Sequence, residues 1–225
     1  MLAVERRRAR AAVHVPVQEL VQALLEGDED DAREQVASVL ADTGSRTAVF
    51  ADLLQPAQTE IGDLWYLGRV SYADEVRAAA MVERLVGSLP PTPVPRLVPQ
   101  GSRCILGVPQ GDPHQLGLRM FALALQDHGW RTEVLDASHS ADALAEIVVR
   151  HRPRFFGLSA GLVARSPELE AAVAGIRQAR IPVLFGGVAF GRSSELCRRF
   201  AVEGLGTDAR IGVVLAQRTL LEWPS

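Results

Sequence analysis

Apolar residues recur at helical spacing through the first part of the chain. Leu20, Val21, Leu24 and Leu25 form one stripe, Val36, Val39 and Leu40 a second, and Val49, Phe50, Leu53 and Leu54 a third. A fourth runs through Val76, Ala79, Ala80, Val82, Leu85 and Val86. Gly44 and Gly68 stand where helix stops are expected, and Ser71 with Asp74 forms a capping pair ahead of the fourth stripe. The spacing predicts a four-helix bundle over residues 16–89.

The segment Leu89 to Pro95 then holds four prolines in seven residues. Proline removes amide donors and pushes its neighbours into extended conformations, so residues 90–102 read as a linker. Beyond it the pattern changes to short β-rich runs, Cys104–Val108, Thr132–Leu135, Phe155–Leu158 and Pro182–Phe185. Amphipathic stretches at about 114–128, 141–150, 167–179 and 192–200 alternate with them. Gly204 to Gly206 and a last helix from about Asp208 to Leu221 follow. This alternation predicts βαβ units over residues 103–225. The fold class expected is α + α/β: a four-helix bundle followed by a flavodoxin-like (Rossmann-like) five-stranded parallel sheet with flanking helices. In such sheets ligands sit outside the carboxyl ends of the strands, so chemistry is sought just after each apolar run.

Hydrophobic residues make up 48% of the chain and the net charge is −3, which describes a globular protein without a global field toward nucleic acid or an anionic membrane. Cys104 and Cys197 lie far apart and outside any CxxC pattern, so neither a disulfide framework nor a zinc site is suggested, and a cytoplasmic location is expected. Arg6, Arg7, Arg8 and Arg10 are followed by His14 and Pro16, not by a long apolar run, and read as a basic tail over residues 1–15. No stretch approaches the roughly 20 apolar residues that span a bilayer.

The candidate chemistry lies at strand ends. After the first strand comes Gln110-Gly111-Asp112-Pro113-His114-Gln115-Leu116-Gly117. A histidine in this loop presents an imidazole above the sheet, and an aspartate two residues earlier can accept the proton of its other ring nitrogen, as for an oriented metal ligand. By itself a loop histidine is more often only a solvated side chain. After the third strand come Ser159, Ala160 and Gly161, and after the fourth Gly186 and Gly187. Small residues at neighbouring strand ends leave room for a flat or inserted ligand, although a Gly pair alone is more often a tight turn.

Taken together, in order and spacing, these elements resemble the cobalamin-binding domains of methionine synthase, methylmalonyl-CoA mutase and the B12-dependent photoreceptors, whose pattern is DxHxxG, SxL and GG. Gly161 stands where that family often has Leu. The resemblance implies that His114 is the lower axial ligand of cobalt and that Asp112 orients it. It also implies that Ser159 contacts the nucleotide tail and that Gly186 and Gly187 line its channel. The departure at Gly161 is expected to loosen one wall without touching the metal ligand.

The bundle adds a second resemblance. Pro56, Ala57, Glu60, Ile61, Gly62 and Trp65, with Glu75 after nine intervening residues, are similar to the helical cap of light sensors of the CarH and LitR type. In those sensors this surface covers the upper face of the corrin. The alternative is that Trp65 is simply a core aromatic of the bundle. The histidine expected after Glu75 is Val76 here, and Tyr66 follows Trp65, so a second histidine on cobalt from those positions is not expected. Such sensors carry a MerR-type DNA-binding domain at the N-terminus. Only about 15 residues precede the bundle, so direct sequence-specific DNA binding is not expected.

The resemblance favours a regulatory sensor that holds adenosylcobalamin in preference to methylcobalamin, responds to light at the upper ligand, and signals to a protein partner or through a homo-oligomer. The alternative is a corrinoid carrier of a methyltransferase system, the one enzymatic role in view. An antirepressor, or a sensor that pairs B12 with a bilin, stands further off. A mutase is not expected, since those enzymes add a barrel domain. His14, His128, His139 and His151 read as surface residues.

Overall fold

The computed structural model describes residues 15–92, 94–95, 98–161, 166–202, 205–206 and 208–222. The arginines and His14 of the basic tail, Pro93 of the linker and Gly204 lie outside the described residues. The chain divides into two units, Met1–Leu85 and Val86–Ser225.

In the first unit, α1 (Val17–Glu26) buries Leu20, Val21, Ala23 and Leu24 and stops on Gly27, whose φ of 81° is left-handed. α2 (Glu29–Thr43) opens on Asp28, which accepts the Asp31 amide, and buries Ala32, Val36 and Val39. The third predicted helix is three abutting segments: α3 (Arg46–Ala48), a π-helical stretch Val49–Leu54, and α4 (Gln55–Tyr66). Pro56 has no amide to donate, and the wider turn lies just ahead of it, with the Gln55 N–H reaching back to Phe50 O. Val49, Phe50, Ala51, Leu53 and Leu54 are all buried there.

α5 (Tyr72–Ser88) starts on a reciprocal cap. The Asp74 amide donates to Ser71 Oγ at 3.1 Å, and the Ser71 amide donates to Asp74 Oδ2 at 3.3 Å. Its buried face differs from the predicted one: Ala78, Met81, Val82, Leu85 and Val86 are buried, whereas Val76 is 44% exposed and Ala80 is exposed. Apolar residues line two sides of this helix, and only the series through Ala78 packs. No helix among the described residues is long and apolar enough to cross a membrane.

The second unit is a five-stranded parallel sheet in the order β2-β1-β3-β4-β5. Its strands are β1 (Arg103–Gly107), β2 (Arg131–Val134), β3 (Phe156–Ser159), β4 (Val183–Gly186) and β5 (Leu205–Gly206). Helices α6 (Leu116–Asp127), α7 (Ala141–His151), α8 (Ser166–Gln178) and α11 (Ala209–Glu222) fall within a residue or two of the segments read from periodicity. The exception is the stretch after β4, read as one helix over 192–200. Two short helices occupy it, α9 (Val188–Arg192) and α10 (Ser194–Arg199), and Ser193 caps the second by accepting the Leu196 amide. α9 starts at once after Gly187 because Ala189 and Phe190 bury against the sheet.

Two apolar layers hold this sheet. Phe156, Leu158, Leu144, Val148, Ile176 and Phe185 belong to one, and Leu106, Val108, Leu125, Trp130, Phe155 and Val213 to the other. Full burial of a large aliphatic or aromatic side chain contributes about 1.5–3 kcal/mol, so strands of alternating Phe and Leu anchor the centre. The strand order reverses between β1 and β3. Ligands of such sheets bind outside the carboxyl ends of the strands at this reversal.

Candidate functional site

The loop after β1 is built around one carboxylate. Gly111 turns with φ 76° and its amide donates to Ala137 O at 2.8 Å, while the Asp112 amide donates to Pro109 O at 3.0 Å. Asp112 is 0% exposed. Its Oδ1 accepts the His114 amide at 3.0 Å and His114 Nδ1 at 2.8 Å, and its Oδ2 accepts the Gly161 amide at 2.7 Å. Burial is the largest single influence on this carboxyl and pushes its pKa up. The hydrogen bonds from the His114 ring, the His114 amide and the Gly161 amide together outweigh it and hold the pKa below the ordinary carboxylate value. An ionised Asp112 makes Nδ1 the protonated nitrogen and leaves Nε2 as the electron-pair donor of a half-exposed ring.

Ser159 ends β3 and pairs in register with Gly186. The Ala160 amide donates to Gly186 O at 3.1 Å, and the Ala189 amide donates to Ala160 O at 3.0 Å. Gly187 has φ 91°, and a Cβ on it would lie 2.3 Å from Ala160 O and 2.8 Å from Ser159 Oγ. Here the missing side chain serves close backbone contact between the two loops. Gly161 requires a correction. It was expected to leave the metal ligand untouched, yet a Cβ on it would lie 2.4 Å from His114 Cγ. At Gly117, in the first turn of α6, an added Cβ would meet nothing within 4 Å. Asp112, His114, Ser159, Gly161, Gly186 and Gly187 are therefore brought together at the carboxyl edge of β1, β3 and β4.

On the bundle, Trp65 is 44% exposed, which sets aside the alternative of a core aromatic. Its described ring contact is Tyr72, with centroids 6.1 Å apart and planes tilted by 51°. Tyr66, Leu67, Tyr72 and Val76 are also exposed, and Glu75 lies half-buried in the first turn of α5. Sequence reasoning missed Tyr72. The available signal was an aromatic at the start of a helix, off the stripe that packs. His128 Nδ1 donates to Ala124 O at 2.8 Å and His139 Nδ1 to Asp136 Oδ1 at 3.1 Å, both apart from this chemistry.

Among the described residues no group of three or more His, Cys, Asp or Glu could hold a metal ion. The donor set at the sheet edge is one imidazole oriented by a buried carboxylate. Such a set suits a metal whose other positions come with a macrocycle, and the residues present fit a corrinoid.

Residues 102–214 match the B12 binding domain family, and residues 17–89 match a second B12 binding domain family. The chain is 31% identical over 157 residues, 68% of this chain and 51% of the relative, to the HTH-type transcriptional repressor CarH of Myxococcus xanthus. It is 34% identical over 170 residues to the HTH-type transcriptional repressor CarA of the same organism, covering 73% of this chain and 54% of CarA. The chain thus spans about half the length of these curated relatives. In fold it is similar to the monomethylamine corrinoid protein of Methanosarcina barkeri, with a TM-score of 0.74 and 15% identity over 88% of this chain and 95% of that one. With its sheet unit matched along residues 102–214, and with a buried aspartate orienting a loop histidine at the switch point of that sheet, the chain belongs to the B12-binding domain family.

Proposed function

We propose that this chain is a cobalamin-dependent regulatory sensor that holds adenosylcobalamin and responds to loss of its upper ligand, with light as the signal. The observation that carries the reading is the exposed aromatic surface of Trp65 and Tyr72 on a bundle whose other stripes are buried. A broad indole face suits an adenosyl group, which can stack on it, better than it suits admission of a small methyl donor. The likeness to two proteins named as transcriptional repressors supports a regulatory role.

When bound, the corrin supplies a cobalt–carbon bond that light can break. His114 would hold the cobalt through Nε2, with its tautomer and angle fixed by Asp112. Ser159 meets the nucleotide tail, and Gly186 and Gly187 shape the wall beside it. Val76 and Tyr66 offer no imidazole, so neither would bind the metal. The signal passes to a partner protein or into a change of self-association, which requires that the ligand bind the two states with different free energy.

The fold likeness to a corrinoid protein supports a second reading, a methyl-carrying subunit. Absorption spectra of the adenosylcobalamin complex, taken in the dark and after green illumination alongside size-exclusion chromatography, decide between them. A base-off, His-on dark spectrum that converts under light with a change of size supports the sensor. Light-insensitive size, with methylcobalamin demethylated by an acceptor enzyme, overturns it in favour of the carrier.

A further inference from the structure

Gly161 lacks a side chain for a reason other than its backbone. It is not among the glycines with positive φ, unlike Gly187, so the backbone there accepts an L residue. What a Cβ would meet is His114, at 2.4 Å from Cγ, 2.5 Å from Cβ and 2.6 Å from Nδ1. Carbon atoms rest about 3.5–4.0 Å apart. Rotating χ1 of His114 moves Cγ and Nδ1 but leaves the histidine Cβ in place, so the loop backbone has to shift as well. That backbone is tied to Gly161 through Asp112, whose Oδ2 accepts the Gly161 amide and whose Oδ1 accepts both donors of His114. One carboxylate holds both the imidazole and the residue on which the imidazole rests.

We infer that Gly161 is a positioning residue for the lower axial ligand: its missing Cβ seats the His114 ring, and its amide anchors the carboxylate that fixes Nδ1. The loop carrying Ser159 thereby sets where His114 meets cobalt. This deepens, and rests on, the cobalamin reading of the same site. It also means that a Leu at this position would be incompatible with this seat, so the placement of His114 depends on the glycine of this chain's own loop.

The first test uses the cofactor-free protein. NMR should show NOEs between the Gly161 Hα protons and the His114 ring, with the ring protonated at Nδ1. Their absence in a folded wild-type protein overturns the seat, whatever becomes of any variant. The second test measures hydroxocobalamin binding. Gly161→Ala should lower affinity about 10- to 100-fold, the range seen when partners that orient a metal ligand are removed, and should weaken the His-on spectrum. In a His114→Gly background, which removes both the ring and the Cβ that a side chain at 161 would meet, the same substitution should have no further effect, because it acts only through His114. An equal loss in both backgrounds overturns the positioning role. Wild-type protein that shows the NOEs but fails to bind cobalamin would overturn the cobalamin reading and leave the seat of His114 supported.

Discussion

In the sheet unit, His114 is fixed through one buried carboxylate that also grips the neighbouring loop, with three hydrogen bonds of 2.7–3.0 Å. In the bundle, Trp65 lies half in solvent and, among the described residues, has one tilted ring contact at 6.1 Å. Both residues stand out in the sequence through motifs of similar length, yet the first is over-determined and the second is adaptable. A metal ligand has to be aimed before the metal arrives, because misplacing it forfeits the bond. An aromatic surface that receives groups of different size works by area, and area tolerates movement. The comparison teaches that within the proposed function the rigid element serves affinity and the loose element serves discrimination.

Substitutions should separate these roles. The largest effect is expected from His114→Ala, which should abolish the base-off, His-on spectrum; a variant that kept it would remove His114 from its proposed role. Next comes Asp112→Ala. It leaves the part-buried Gly161 amide without its acceptor, at a cost of about 1 kcal/mol, and should lower cobalamin affinity about 10- to 100-fold. Denaturant melts and cobalamin titration read the two losses separately. Trp65→Ala should change stability by no more than about 1 kcal/mol, since half of its surface is already wet. It should narrow the preference for adenosylcobalamin over methylcobalamin while the lower-ligand spectrum stays unchanged, and a spectral change would break the separation drawn here. The smallest effect is expected from Ser71→Ala, which removes a helix cap worth about 1 kcal/mol and should appear only in bundle unfolding.

Much of this was legible in the sequence. β1, β3 and β4 begin and end within one residue of their apolar runs because buried parallel strands leave an uninterrupted hydrophobic signature. Asp112 and His114 were legible because a two-residue spacing within one loop fixes their geometry locally. Gly161 also stood out in the sequence, but its contact with His114 did not, because the two are 47 positions apart and a contact across two loops leaves no periodic trace. The face of α5 was misread at Val76 and Ala80 because alanine and valine occur on both of its sides, so burial there was decided by tertiary packing. The division of the stretch after β4 into α9 and α10 escaped for the opposite reason: helices of five and six residues are too short for periodicity to mark their joint.

The π-helical stretch Val49–Leu54 has a consequence for angular phase. A π turn takes up one more residue than an α turn, and one residue of α-helix corresponds to about 100° of rotation. Every side chain downstream on α4 therefore inherits its compass bearing from this stretch, Trp65 included. Shortening it by one residue would keep the helix and its composition but swing the indole by about 100°, turning its aromatic surface toward a different neighbour. The direction in which this domain looks is thus encoded in a chain length, eleven residues before the residue that does the looking.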